Sequence, residues 1–157
     1  MPYYTGRHMS SMEYDSLFHA GLIKNAPPAD PKDKKHHLRA RGTAIVLRDN
    51  KILLARDKGK TKFSLPGGGT KNNEPSMAAA IRELYEELGM SAKKAERIFR
   101  CDFEGSLNKH KVVLIETDDE PRLKGKELEE FIWWDTETKI PIYDHVKAIL
   151  GNLEKKV

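Results

Sequence analysis

The sequence predicts an α/β/α sandwich, a mixed sheet with one helix packed against each side. Two observations carry that prediction. Short apolar runs at strand spacing, bounded by Asp, Asn and Gly, begin near residue 41 and continue to Trp134. Two helical patterns, Ser76 to Leu88 and Ile142 to Leu153, each present one apolar face with which to cover a sheet.

The first 40 residues stand apart as an N-terminal extension, and the domain runs from 41 to 157. Residues 1–37 hold an aromatic and Met-bearing segment, and Ser11 to Ala20 is compatible with a short helix. Ala26-Pro27-Pro28-Ala29-Asp30-Pro31 reads as a linker or extended arm. Lys32-Asp33-Lys34-Lys35-His36-His37-Leu38-Arg39-Ala40-Arg41 is the most basic run, and without its excess the net charge of +4 would fall close to neutral. A solvated arm is the favoured reading of that run. A basic rim that draws in polyphosphate and a nucleic-acid contact are the alternatives.

The domain elements follow in order. Gly42 to Leu47, Asp49-Asn50 and Lys51 to Ala55 form a hairpin signal. Phe63-Ser64-Leu65-Pro66 reads as the end of a strand, and Gly67-Gly68-Gly69 lets backbone approach a ligand closely. Asn72 and Asn73 are turn formers, Glu74-Pro75 suits a helix opening, and Gly89 is a natural stop. Arg97 to Glu104 and Lys111 to Thr117 read as a strand pair around Gly105-Ser106-Leu107-Asn108, and Glu129 to Trp134 as a further strand. The closing helix carries Ile142, Val146, Ile149, Leu150 and Leu153 on its apolar side. Trp133 and Trp134 point to opposite faces of their strand, so one is expected in the core and the other is a candidate for base stacking.

Composition narrows the class. With 157 residues, 38% hydrophobic and 33% charged, the chain suits one soluble domain. No apolar run approaches a membrane span and the N-terminus lacks a signal-peptide core, which points to a cytoplasmic protein with no membrane partner. The single cysteine, Cys101, has no partner for an internal disulfide and is expected to be an ordinary strand residue. His36, His37 and His110 lack ligand partners at useful spacing and count as surface histidines. Monomer and homodimer both remain open.

The chemistry lies on the first helix. At 100° per residue, Met77, Ile81, Leu84 and Leu88 fall on a stripe about 60° wide, while Glu83, Glu86 and Glu87 share a separate arc about 100° wide. These acids occupy the last two turns, where the helix dipole is negative, and only Arg82 is close by as a counter-charge. A solvated acidic face is the ordinary reading of such a cluster, but its costly placement implies a cation. Oxygen-only ligands suit Mg²⁺, or Mn²⁺ in its place, rather than zinc. The glycine run is neither a P-loop nor a dinucleotide fingerprint.

From Gly68 to Met90 the residues fit G-x5-E-x7-R-E-U-x-E-E-x-G-U, with U apolar and every fixed position filled. By this pattern the chain resembles the Nudix hydrolases, of the MutT-like kind. The resemblance implies a sandwich with a loop–helix–loop that binds divalent metal and cleaves a phosphoanhydride in a nucleoside diphosphate linked to another group. Carried onto this sequence, it makes Glu86 and Glu87 metal ligands and Glu83 a ligand or the base that activates water. Gly67 would offer its carbonyl to the metal, and Glu74 and Arg82 would be structural. A further acid joins the site downstream, for which Glu127 is the candidate and Glu129 and Glu130 the rivals. Gly68, Gly69 and Arg56 are the candidate substrate-binding residues. Lys71, Asn73 and Phe63 depart from common residues of the family outside the fixed positions, which bears on substrate preference.

Within that class the expected reaction is pyrophosphohydrolysis of a nucleoside triphosphate, oxidised purine nucleotides included, because the core is small. Alternatives are a 5′-end RNA pyrophosphohydrolase, a hydrolase of ADP-ribose or dinucleoside polyphosphates, and a non-catalytic nucleotide sensor. The 105–108 stretch lacks the Pro or Tyr that accompanies ADP-ribose or dinucleoside polyphosphate preference in similar proteins, and a sensor would usually have lost a box glutamate.

Overall fold

The structure, a computed structural model, describes residues 38–154 and the backbone of residues 3–9. The expected Ser11–Ala20 helix, the Pro-rich arm, His36 and His37 lie outside the described residues. The strands are β1 (Tyr3–Met9), β2 (Arg39–Ile45), β3 (Leu47–Arg48), β4 (Lys51–Asp57), β5 (Gly67–Gly69), β6 (Ala92–Arg97), β7 (Phe103–Glu104), β8 (Asn108–Glu116) and β9 (Leu128–Trp134). The helices are α1 (Ser76–Leu88) and α2 (Asp144–Glu154).

The expected mixed sheet is divided into two. One has the order β1-β6-β8-β2-β5, with β7 also on β8, and the other the order β3-β4-β9. The division falls at Val46, where the chain leaves β8 and turns back on itself. Asp49 and Asn50 make that turn with φ of 52° and 64°, the paired left-handed residues that a tight hairpin requires. The β2–β8 pair is parallel, and the other pairs between the named strands are antiparallel.

Strand alternation sends successive side chains to two cores. Ala44, Val46, Leu53, Val113 and Ile115 meet Met77, Ile81, Leu84 and Leu88 of α1 on one side. Ile45, Ile52, Leu54 and Val112 meet Val146, Ile149 and Leu150 of α2 on the other. This is the α/β/α sandwich, and the apolar stripe of α1 is the buried one. Asn73 enters the helix with φ of 60°, and Gly89 ends it with φ of 68° and its N–H on the Tyr85 carbonyl at 2.9 Å.

Four expectations change. The strand anticipated from Arg97 to Glu104 stops at Arg97, because its guanidinium grips both oxygens of Asp102 at 2.9 and 2.7 Å and the Val112 carbonyl at 2.6 Å. The corner so made is a 3₁₀ turn, Phe99–Cys101, so Cys101 is a buried turn residue beneath α2 rather than a strand residue. His110 is buried, not on the surface, with Nδ1 2.8 Å from Thr43 Oγ1 and its ring stacked on His145 at 4.1 Å. Neither tryptophan is a free platform. Trp133 packs on the α1 core beneath the Arg48 guanidinium, and Trp134 packs on the α2 core and donates Nε1–H to the Thr138 carbonyl at 2.8 Å.

Candidate active site

Arg82 organises the loop before α1 and the acidic face of the helix itself. Its Nε donates to Glu74 Oε2 at 2.9 Å, and its Nη2 donates to Glu74 Oε1 and to the Gly69 carbonyl, both at 3.0 Å. Its Nη1 donates to Glu83 Oε1 and, at 3.3 Å, to Glu86 Oε2. The Glu74 carboxylate also accepts the Lys71 N–H at 3.0 Å, which closes the loop over the helix start. One buried cation thus fixes the glycine loop and the two carboxylates that follow it. The ion pair raises the Arg82 pKa above its ordinary value, through the Glu74 hydrogen bonds first.

The chain after β8 delivers the distant acid. Lys124 and Arg122 donate their N–H groups to the Glu87 and Leu88 carbonyls at the end of α1, at 3.1 and 2.9 Å. Those carbonyls are among the four a helix leaves unpaired, so the segment caps the helix as it passes. Lys58 N–H then holds the Glu127 carbonyl at 2.9 Å. As a result Glu83, Glu87 and Glu127 converge, each with one carboxylate oxygen within 4.8 Å of the others.

These carboxylates line a cleft of roughly 310 Å³ with Gly67, Gly68, Gly69, Arg39, Arg41 and Asp57. Gly68 allows the close approach. A Cβ there would sit 2.4 Å from the Glu83 carboxyl carbon. Burial, and then Glu83, push the Glu87 carboxyl up to about 8. Glu83 is raised too, by burial first and against the pull of Arg82. Glu87 Oε1 is buried with no hydrogen-bond donor. Three carboxylates with oxygens within 4.8 Å of one another, one of them with an orphaned buried acceptor, fit a hard divalent cation such as Mg²⁺ or Mn²⁺.

The anticipated residues separate on this geometry. Glu83, Glu87, Glu127 and the three glycines come together at the cleft. Glu86, expected as a ligand, is not among the converging carboxylates or the residues that line the cleft; it is half-exposed and held by Arg82. Glu130 is taken up by Arg56, whose Nε lies 3.0 Å from its carboxylate, and Glu129 falls at a register shift of β9. Arg56 does not line the cleft, contrary to expectation. Its neighbours Ala55 and Asp57 do, and strand alternation turns Arg56 to the other face, where it also donates to the Lys60 carbonyl at 2.8 Å. Arg41 and Asp57 were not anticipated. Arg41 reads in the sequence as the last residue of the basic run, whereas in the structure it lies within β2.

Fold and site together place a loop–helix–loop with a carboxylate cluster on an α/β/α sandwich. A family profile described as the NUDIX domain matches residues 38–147, and the chain belongs to the Nudix hydrolase family. It is 34% identical over 58 residues to an RNA pyrophosphohydrolase of Histophilus somni (strain 2336), covering 37% of this chain and 30% of that protein. It is 38% identical over 63 residues to an RNA pyrophosphohydrolase of Pelagibacter ubique (strain HTCC1062), covering 39% of each. These matches span well under two thirds of either relative. Among solved structures, a MutT NUDIX hydrolase from Burkholderia pseudomallei superposes with a TM-score of 0.64 at 26% identity, over 73% of this chain and 97% of that one. No helix among the described residues is long and apolar enough to cross a membrane.

Proposed function

We propose that this protein is a divalent-metal-dependent hydrolase of phosphoanhydrides in nucleoside di- or triphosphate derivatives, and that its reaction is nucleoside triphosphate pyrophosphohydrolysis. The convergence of Glu83, Glu87 and Glu127 beside a glycine loop carries this reading. Bound there, Mg²⁺ or Mn²⁺ would neutralise phosphate charge and lower the pKa of the attacking water.

The chain's own residues supply the rest. Glu87 and Glu127 would hold the cation, together with the Gly67 carbonyl, and Glu86 would add its charge from the exposed side of the helix. Glu83 has one oxygen tied to Arg82, which leaves Oε2 to take the proton of the water. The water oxygen bonds to phosphorus, the anhydride P–O bond breaks, and the leaving phosphate departs with the bonding pair. Arg82 and Glu74 keep Glu83 in place throughout. Positioning and charge neutralisation are most of what such a transfer needs.

A second reading, hydrolysis of the terminal phosphates of RNA, rests on the name of the curated relatives and on Arg39 at the cleft rim, where the basic run enters the domain. One experiment tests both. Phosphate and pyrophosphate release is measured with Mg²⁺ and with Mn²⁺ on ordinary and oxidised nucleoside triphosphates, ADP-ribose, dinucleoside polyphosphates and triphosphate-ended RNA, with Glu83→Gln as control. Metal-dependent release from nucleoside triphosphates that the variant loses supports the first reading, and preferential release from RNA selects the second. Nucleotide binding with no turnover refutes both.

A further inference from the structure

We infer that Arg41 is a substrate-contacting residue, whose guanidinium binds non-bridging oxygens of the phosphate chain opposite the carboxylate cluster. The inference rests on the hydrolase reading for the identity of the anion.

Arg41 lines the cleft that Glu83, Glu87 and Glu127 line, and its electrostatic neighbours are Glu87, Asp57 and Glu83. An arginine in such surroundings would ordinarily close onto a carboxylate. Arg48, Arg56, Arg82 and Arg97, the other described arginines that are at least partly buried, all do so. Arg41 does not. Among the described residues it makes no ion pair, and its one hydrogen bond runs from Nη2 to the Leu65 carbonyl at 2.8 Å. Its Nε–H is buried with no acceptor. Burial lowers its pKa against the pull of the three acids, which offset the desolvation only in part. A buried guanidinium with an unspent donor costs folding free energy unless an anion completes it.

The two orphans of the cleft have opposite sign and do not meet: Glu87 Oε1 lacks a donor and Arg41 Nε lacks an acceptor. A cation on the first and a phosphate oxygen on the second would satisfy both, and a metal-bound diphosphate offers the two at once. The fork is also held in place. The Leu65 carbonyl fixes one arm, and His110, in register with Arg41 on the next strand, is itself packed between Thr43 and His145. The planar guanidinium suits tetrahedral phosphate with paired donors, as an ammonium would not.

The test uses methylenediphosphonate, a diphosphate whose bridge cannot be hydrolysed, titrated with Mg²⁺ present into the full-length protein, Arg41→Met and Arg41→Lys. Mn²⁺ affinity is read separately by electron spin resonance. The expected result is at least a tenfold loss of diphosphonate affinity in Arg41→Met and an intermediate loss in Arg41→Lys, with Mn²⁺ bound as tightly as by wild type or more tightly. Equal diphosphonate affinity in the variants, absence of binding by wild type, or a parallel loss of Mn²⁺ would overturn the inference. If Arg41→Met fails to fold, Arg41→Lys decides alone, and full affinity in it refutes the fork. Arg41-dependent binding by a protein that hydrolyses nothing would remove the hydrolase reading and leave this one standing. Turnover with Arg41-independent binding would do the reverse.

Discussion

Arg82 and Glu74 face each other across the start of α1 as a two-pronged ion pair, with both side chains about 95% withdrawn from solvent, at 5% and 6% exposure. Breaking such a pair from one side leaves a buried, uncompensated charge. Arg82→Ala is therefore expected to lower stability by about 3–5 kcal/mol, read from a denaturant melt. A loss within the range of ordinary surface changes would show that the pair does not hold the loop.

Gly42 and Gly68 separate stability from function. A Cβ on Gly68 meets the Glu83 carboxyl group, the far end of a side chain that can shift without moving backbone. Gly68→Ala is thus expected to fold normally while kcat/KM drops roughly a hundredfold, since displacement of about 1 Å at a reacting group has that effect. A Cβ on Gly42 instead meets the Ser76 carbonyl at 2.3 Å and the Ala80 nitrogen at 2.6 Å, backbone that cannot yield. Gly42→Ala is expected to cost at least about 1–3 kcal/mol. Parallel melts and turnover assays of the two variants check the contrast.

Leu84 is fully buried against the first core. Leu84→Ala should lower stability by about 2–5 kcal/mol without moving a carboxylate. A thermal melt that matches wild type would contradict the facing of α1.

The pH dependence carries opposite signs in two windows. His110 and His145 are held down to about 4 and about 3, mainly by burial, so the folded state stays neutral where the unfolded chain takes up protons. Their contribution is present above the ordinary histidine value of 6.5 and is lost as pH falls towards 4 and 3. Glu87 runs the other way. Raised from 4.5 to about 8, it favours the fold below 4.5, and that contribution is lost as pH rises to about 8. Between 6.5 and 8 the histidine contribution no longer changes, so the metal-free protein is expected to lose several degrees of thermal midpoint. Glu87→Gln should flatten that decline and Mg²⁺ should reverse it in wild type. A flat profile for metal-free wild type would contradict the burial of Glu87.

The parts of this molecule legible in the sequence are those written locally. The facing of α1, its stop at Gly89, the Asp49-Asn50 turn and the arc that holds Glu83 and Glu87 all follow from spacing within one element. Residues whose role depends on a distant partner were not legible. Arg56 differs from Asp57 only by strand parity, and nothing near it announces Glu130 as its partner. Gly42 owes its importance to the Ser76 carbonyl on another element. His110 looked like a surface residue because Thr43 and His145, which enclose it, are far away in the chain. Glu127 is the candidate over its rivals Glu129 and Glu130, but spacing alone does not separate them; the run of the 122–127 segment along the end of α1 does.

The lone thiol at Cys101 is an internal clock for one face of the sandwich. It is wholly shielded under α2, and the core around α1 contains no cysteine. A thiol reagent can therefore mark the chain only when the α2 side opens, and its rate reads that opening separately from events around the carboxylates. If Mg²⁺ slows the labelling, the two faces open as one cooperative unit; if it does not, the layer that bears α2 breathes independently of the layer that binds the ion.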